Sequence, residues 1–244
     1  MNTHLIIGIH AVHEALKDKE NIDQILIKQQ SDNEIIKEII YLARKNNVTL
    51  KTVPIEKINK ITRKNHQGVI AFGSPIEFSS IFNIIPTLYE EGKTPLILLL
   101  DEISDVRNFG AIIRSCECFG VDAVVIPQKG SAQINESAIK TSAGAIYKVP
   151  VCKVKSLIST IDFLKKSGLT IASITEKSTT KIYTTDFSNP TAIILGNEET
   201  GISQNILTES DICLQIPMSG HISSLNVSVA GGISLYEIHK QRNN

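Results

Sequence analysis

The chain has 244 residues, 42% of them hydrophobic and 20% charged, with 25 basic side chains set against 25 acidic ones. That balance excludes a globally disordered polymer and leaves enough Leu, Ile and Val for one large domain or two smaller ones, of which two are expected. No apolar run approaches the ~18 to 20 residues that span a bilayer, and the amino terminus has neither a basic region nor a small-residue cleavage site, so a cytoplasmic protein with no membrane segment is expected.

Residues 1–73 carry 11 Lys/Arg and 8 Asp/Glu, leaving 14 and 17 for the rest. Their pattern alternates: a helix over 11–17, a strand over 22–27, and a helix over 33–46 with Ile35, Ile36, Ile39, Ile40 and Ala43 at core spacing. Short strands follow at 48–53 and 68–72. This is a small α/β unit. Within it Arg44, Lys45, Lys51, Lys57, Lys60, Arg63 and Lys64 face only the carboxylate of Glu56. Such a stretch suits phosphates, and it equally reads as a solvated basic face. Gly73-Ser-Pro, Pro86, Gly92 and Pro95 then mark 74–94 as a linker, with helical pattern over 80–90.

From Pro95 onward the rhythm is strand, helix, strand, helix. LILLLD leads to a helix over 108–119, then DAVVIP, a helix near 137–143, a strand near Val149, a helix over 157–166, LTIASI, AIILG, a short helix from Ile202, ICLQIP, and a last helix over 225–241. Continuously apolar strands are covered on both faces, as in a mostly parallel sheet, and ligands of such sheets bind beyond the carboxyl ends of strands. The segments after Asp101, Leu195 and Ile216 therefore draw attention. Cys116, Cys118, Cys152 and Cys213 read as buried free thiols, and His10 with His13 lacks the second pair of ligands that a metal site needs.

Each of those segments holds polar residues. In the first, Asn108 is placed to cap a helix whose apolar stripe is Phe109, Ile112, Ile113, Cys116 and Phe119, and Arg114 lies off that stripe. In the second, IILGNEETGIS has neither the Lys-Ser/Thr of a phosphate loop nor a G-x-G-x-x-G, which weakens ATP and NAD readings. Gly196 there would let a ligand approach the backbone, and Glu198 stands at a strand tip. In the third, a Ser- and Gly-rich loop enters a helix with Asn226 in its first turn, and Gly231-Gly232 imply close packing against other backbone.

NFGAIIRSCECFGVDAVVIP, ILGNEETGIS and IPMSGHISSLNVSVAGGISLYE, in this order, resemble the three motifs of the SpoU (TrmH) branch of the SPOUT RNA 2′-O-ribose methyltransferases. GIHAVHEAL and NHQGVIAF in the first 73 residues resemble the L30e-like RNA-binding domain of the bacterial enzyme that methylates a guanosine in the peptidyl-transferase loop of 23S rRNA. The resemblance implies a small L30e-like α/β domain over 1–73, a linker over 74–94 and a SPOUT methyltransferase domain over 95–244. The latter would be a mostly parallel sheet with a trefoil knot, which the general rule of unknotted chains would not suggest.

The resemblance further implies S-adenosylmethionine as cofactor, a homodimer that completes the site, no metal, and RNA as partner, either 23S rRNA or its assembly intermediate. Carried over by position, Asn108, Arg114, Glu198 and Asn226 are the catalytic set. Leu195, Gly196, Ile216, Met218, Ser224 and Leu225 form the cofactor pocket. Arg44, Lys45, Lys57, Lys60, Arg63 and Lys64 are the RNA-binding set. Two departures stand out: EISDVRNFG replaces the frequent DGVxDPxNLG, and Glu199 occupies a position that is often Gly. Competing readings are the same chemistry on a tRNA or another rRNA nucleotide, and a non-catalytic RNA-binding or ribosome-assembly protein of the same fold.

Overall fold

A computed structural model describes residues 5–29, 33–222 and 224–243, so Ser223 of the third motif lies outside the described residues. The chain divides into two compact units, 1–77 with 133–136 and 78–132 with 137–244.

The first unit runs β1 (Leu5–Ile7), α1 (Ile9–Lys17), β2 (Ile22–Lys28), α2 (Glu34–Lys45), β3 (Thr49–Val53), α3 (Ile55–Ile61) and β4 (Val69–Gly73). Its sheet has the order β1-β4-β2-β3, with β2 and β3 parallel and the other pairs antiparallel. Strand alternation sorts the core into two layers. Ile25, Ile27, Val69 and Ala71 meet Val12, Ile36 and Ile39 of α1 and α2, while Leu26 and Ile70 meet Ile58 of α3. Helix α2 starts cleanly because the Asn33 side chain accepts from the Ile35 amide at 2.8 Å. Strand β1 and helix α3 are additions to the expected elements.

The second unit contains α4 (Ile81–Glu90), β5 (Leu96–Leu100), α5 (Val106–Cys118), β6 (Ala123–Pro127), α6 (Glu136–Thr141), β7 (Val151–Val154), α7 (Leu157–Lys166), β8 (Thr170–Ile174), β9 (Thr191–Leu195), α8 (Gln204–Glu209), β10 (Ile212–Leu214) and α9 (Val227–Asn243). Its six strands lie in the order β10-β8-β9-β5-β6-β7, every pairing parallel. One face of the sheet packs on α4, α7 and α8 through Ile81, Ile85, Ile161, Leu164 and Ile206. On the other face α9 comes so close that a Cβ on Gly231 would sit 2.9 Å from the Leu195 side chain, with Ile112 of α5 beyond. The expected close packing of that glycine is therefore onto side chains rather than backbone.

Helix α4 falls within the segment read as a linker. It is a working part of the second core, with Ile81 and Ile85 each 1% exposed. Cys116 and Cys152 are buried, as expected, but Cys118 is exposed and Cys213 partly so, because they sit on the outer side of α5 and in a short edge strand. Burial pushes the Cys116 thiol upward and that of Cys152 up to about 12, so both stay protonated and inert. Among the described residues no helix is long and apolar enough to cross a membrane, and no three metal-ligating side chains stand together.

Candidate active site

Beyond the carboxyl ends of the parallel strands, the three sequence constellations meet. The first is set by the start of α5. Asp105 caps this helix, its carboxylate accepting from the amides of Arg107 at 2.8 Å and Asn108 at 2.9 Å. The expectation that Asn108 is the cap is thus corrected by three positions, and the reason is chemical: a carboxylate at the N-cap satisfies two free amides and complements the helix dipole.

With capping delegated to Asp105, the Asn108 carboxamide is free to bridge. Its Nδ2 donates to Glu198 Oε1 at 2.6 Å, 90 positions away, and its Oδ1 accepts from Asn226 Nδ2 at 3.2 Å, 118 positions away. Asn226 is itself oriented by α9, since its Oδ1 accepts from the backbone amide of Ser228 at 2.9 Å and from the Ser228 hydroxyl at 2.6 Å. That leaves its amide group pointing away from the helix. The donors and acceptors form one directed chain from α9 through Asn226 and Asn108 to Glu198.

Glu198 belongs also to the wall of a cavity of about 290 Å³. Leu195, Gly196, Ile216, Met218, Ser224 and Leu225 all line it, so the structure brings together the six residues assigned to a cofactor. The apolar side is completed by Ile202, Val227 and Ala230. A fourth segment, residues 174–177 at the end of β8 and just beyond it, lines the same cavity and was not anticipated. Its signal was available: LTIASI is as apolar as its neighbours, and the carboxyl-end rule applies to every parallel strand of the sheet.

The 196–201 loop closes on itself. The Asn197 and Gly201 backbones exchange hydrogen bonds at 3.1 and 2.9 Å, and the Asn197 side chain accepts from the amides of Glu199 and Thr200 while donating to the Glu102 carbonyl. A Cβ on Gly196 would lie 2.2 Å from the Ile202 amide nitrogen and 2.3 Å from the Gly201 carbonyl carbon. Gly196 is thus required by the loop's own backbone, and it also lines the cavity. Buried Asp101 supports the same turn, accepting from the Ser203 amide at 2.8 Å.

Arg114 is exposed, two turns into α5, and among the described residues it has no ion pair. The far end of α9 is anchored, the Arg242 guanidinium donating to the carbonyls of Thr94, Phe187 and Asn189 at 2.8 to 2.9 Å. In the first unit, Arg44, Lys45, Lys57, Lys60, Arg63 and Lys64 are all exposed. They do not gather on one surface: Arg44 and Lys45 end α2, whereas Lys57 and Lys60 lie on α3 across the sheet, with Arg63 and Lys64 just after it.

Residues 95–236 match the SpoU rRNA Methylase family, and residues 5–79 match the RNA 2′-O ribose methyltransferase substrate binding family. A protein of Staphylococcus saprophyticus, assigned to the TrmH family of tRNA/rRNA methyltransferases, is 35% identical over 98% of this chain and 96% of its own length. Among solved structures, the SpoU methyltransferase AviRb from Streptomyces viridochromogenes, in complex with the cofactor AdoMet, is similar in fold, with a TM-score of 0.62 and 22% identity over 98% of this chain and 90% of its own. The A. aeolicus TrmH/SpoU tRNA modifying enzyme is 32% identical, with a TM-score of 0.55, over 66% of this chain and 83% of its own.

Proposed function

The chain belongs to the SpoU rRNA methylase family and is an S-adenosylmethionine-dependent RNA 2′-O-ribose methyltransferase, and we propose that its substrate is a guanosine in the peptidyl-transferase loop of 23S rRNA. The observation that carries the site assignment is the chain from Asn226 through Asn108 to Glu198, which ties all three motifs together and reaches the wall of one cavity through Glu198. The 23S target rests on the resemblance of the first 73 residues and on the substrate-binding match over 5–79. A tRNA target is the second reading, favoured by the A. aeolicus tRNA modifying enzyme.

The cavity's chemistry fits the cofactor. Leu195, Ile202, Ile216, Met218 and Leu225 offer an apolar wall to an adenosyl group, and Glu176, Glu198 and Glu199 outnumber Lys177, which suits a ligand bearing a sulfonium and an ammonium. Bound there, the cofactor supplies an electrophilic methyl group. Arg114 then holds the RNA phosphate next to the reacting ribose, because a guanidinium stays charged throughout the physiological range and is a poor base. Its charge stabilises the alkoxide that develops as the 2′-hydroxyl loses its proton to the phosphate or to water. Asn108, Glu198 and Asn226 keep the motif loops and the ribose in register, so positioning supplies much of the rate.

A homodimer belongs to the same proposal. Val229, Ile233 and Tyr236 form a stripe on the outer side of α9, 48%, 39% and 57% exposed, on a helix that packs against α5, where Phe119 meets Tyr236 edge-on. A second copy would cover it. The RNA-reading domain is proposed over 1–73 and the catalytic domain over 95–244.

Mapping ribose methylation across total RNA from a deletion strain tests the whole reading. Loss of one methyl in the 23S peptidyl-transferase loop, restored by the purified enzyme, is expected. Loss in a tRNA moves the target, and loss nowhere overturns the enzymatic assignment.

A further inference from the structure

We propose that the outer face of α2 is a platform for an unpaired nucleotide, with Tyr41 as the stacking residue and Arg44 and Lys45 as the flanking phosphate contacts. The inference rests on the RNA-directed reading above and names the surface that would carry it.

The chain has five tyrosines and no tryptophan. Three of the tyrosines have partners within the chain. Tyr89 donates its hydroxyl to the Ser167 carbonyl, Tyr183 lies under the Lys181 ammonium, and Tyr236 packs edge-on against Phe119. Tyr41 and Tyr147 have no such partner among the described residues and are the most exposed, at 63% and 60%. The cation beside Tyr147, Lys148, is spent on Glu117 at 3.1 Å. Around Tyr41 the accounting differs: Glu34 is paired with Lys37, Glu38 lies 2.9 Å from His13 Nε2, and Arg44 and Lys45 are exposed cations without an ion pair among the described residues.

Helical geometry puts those two cations on the same face as the ring. Positions 41, 44 and 45 are three and four apart, so they share one face, and side chains on a helix lean toward its amino terminus, which keeps Arg44 and Lys45 within one turn of the Tyr41 ring. Ile36, Ile39 and Ala43 bury the opposite face, which holds α2 rigid beneath the platform. An aromatic ring with two free cations one turn away is what a base and its adjoining phosphates require, and it does not distinguish one base from another. Helix α3, across the sheet, has cations without an aromatic side chain. Its chemistry serves a phosphate backbone only.

The absence of tryptophan makes the test direct. In the full-length protein, Tyr41→Trp creates a single fluorescent reporter, titrated with an unstructured RNA of about twelve nucleotides and with the duplex of the same sequence. The single strand should quench the emission with the dissociation constant found by filter binding. Tyr41→Ala should weaken single-strand binding by roughly 5- to 150-fold without changing the salt slope, and Tyr41→Phe should bind like the parent. Arg44→Gln with Lys45→Gln should lower the slope by about 0.7 per cation. S-adenosylmethionine affinity should not move in any variant, which also checks folding. Unquenched emission at saturating RNA, an alanine variant within twofold of the parent, or quenching by duplex alone would each overturn the platform. If the parent protein binds no RNA of either kind, it is the RNA-directed reading itself that fails.

Discussion

The two units handle charge and distance in opposite ways. At the carboxyl ends of the large sheet, side chains 90 and 118 positions apart are drawn into hydrogen bonds of 2.6 and 3.2 Å. In the small unit, cations within 21 positions of one another are sent to two faces of a sheet and left without ion pairs among the described residues. The contrast fits the roles proposed for the two regions. A reacting centre needs donors and acceptors preorganised by one another, whereas a surface that meets phosphates needs charge that no internal partner has neutralised. Each experiment below tests one side of this contrast, in order of expected effect.

The largest effect concerns where the catalytic unit begins. A fragment starting at Phe78 should fold and bind S-adenosylmethionine, while one starting at Gly92 should not. Without α4 the core loses Ile81, Ile85 and Leu88, worth roughly 1.5 to 3 kcal/mol each. That sum is comparable to the whole stability of a domain. Calorimetric unfolding of both fragments decides it, and a cooperative transition in the shorter one would place α4 outside the essential core.

Arg114→Ala should lower methyl transfer by about 10²- to 10³-fold while cofactor affinity stays within twofold, as expected for losing one charge that acts on the transition state. Near-normal single-turnover rates would remove Arg114 from the chemistry. Gly196→Val follows. Its branched side chain would collide with the Gly201–Ile202 backbone, costing about 1 to 3 kcal/mol and opening the loop, so a lower unfolding midpoint should accompany the loss of cofactor binding. Lost binding at unchanged stability would show that the glycine serves the ligand and not the loop.

Several of these features are legible in the sequence, and the exceptions have physical causes. The stripe of Ile36, Ile39 and Ala43 announces α2, and the apolar strands announce a parallel sheet whose carboxyl ends hold the site. Strand β1 is three residues long, too short for alternation to register, and α3 follows Pro54 with a single fully buried residue, Ile58. The division of the basic stretch between two faces escapes because composition carries no direction: only the crossing from α2 through β3 to α3 separates Lys45 from Lys57. The role of Asn108 was legible as polar and near a helix start. Which of Asp105 and Asn108 caps was not, because either side chain can do so.

Glu199 gives a smaller effect. It lines the cavity with Glu176 and Glu198, and its carboxylate is exposed. Glu199→Gln should weaken S-adenosylmethionine binding by about two- to fivefold, the range of a solvent-screened charge interaction. It should leave S-adenosylhomocysteine nearly untouched, because the product has lost the sulfonium charge. Equal losses for both ligands, measured calorimetrically, would mean that Glu199 contributes shape rather than charge.

The smallest effect tests how far the preorganised side can be strengthened. Val106 occupies the first position of α5, where the backbone amide has no partner inside the helix. Proline is favoured at that position, since its ring fixes φ near the helical value and the missing N–H costs nothing. Proline also pushes the preceding residue toward extended backbone, and Asp105 is already there, at φ −74° and ψ 121°. The amides that Asp105 caps belong to Arg107 and Asn108 and are untouched. Val106→Pro should therefore stabilise the protein by about 0.4 to 1 kcal/mol, chiefly by restricting the unfolded chain. Methyl transfer should be unchanged, because the Asn108 carboxamide keeps its place. A higher denaturant midpoint with an unchanged rate is the expected result. Destabilisation would show that the half-buried Val106 side chain contributes more by packing than proline recovers in entropy, and a faster rate would show that the start of α5, and with it Asn108, is not yet fully held in the native enzyme.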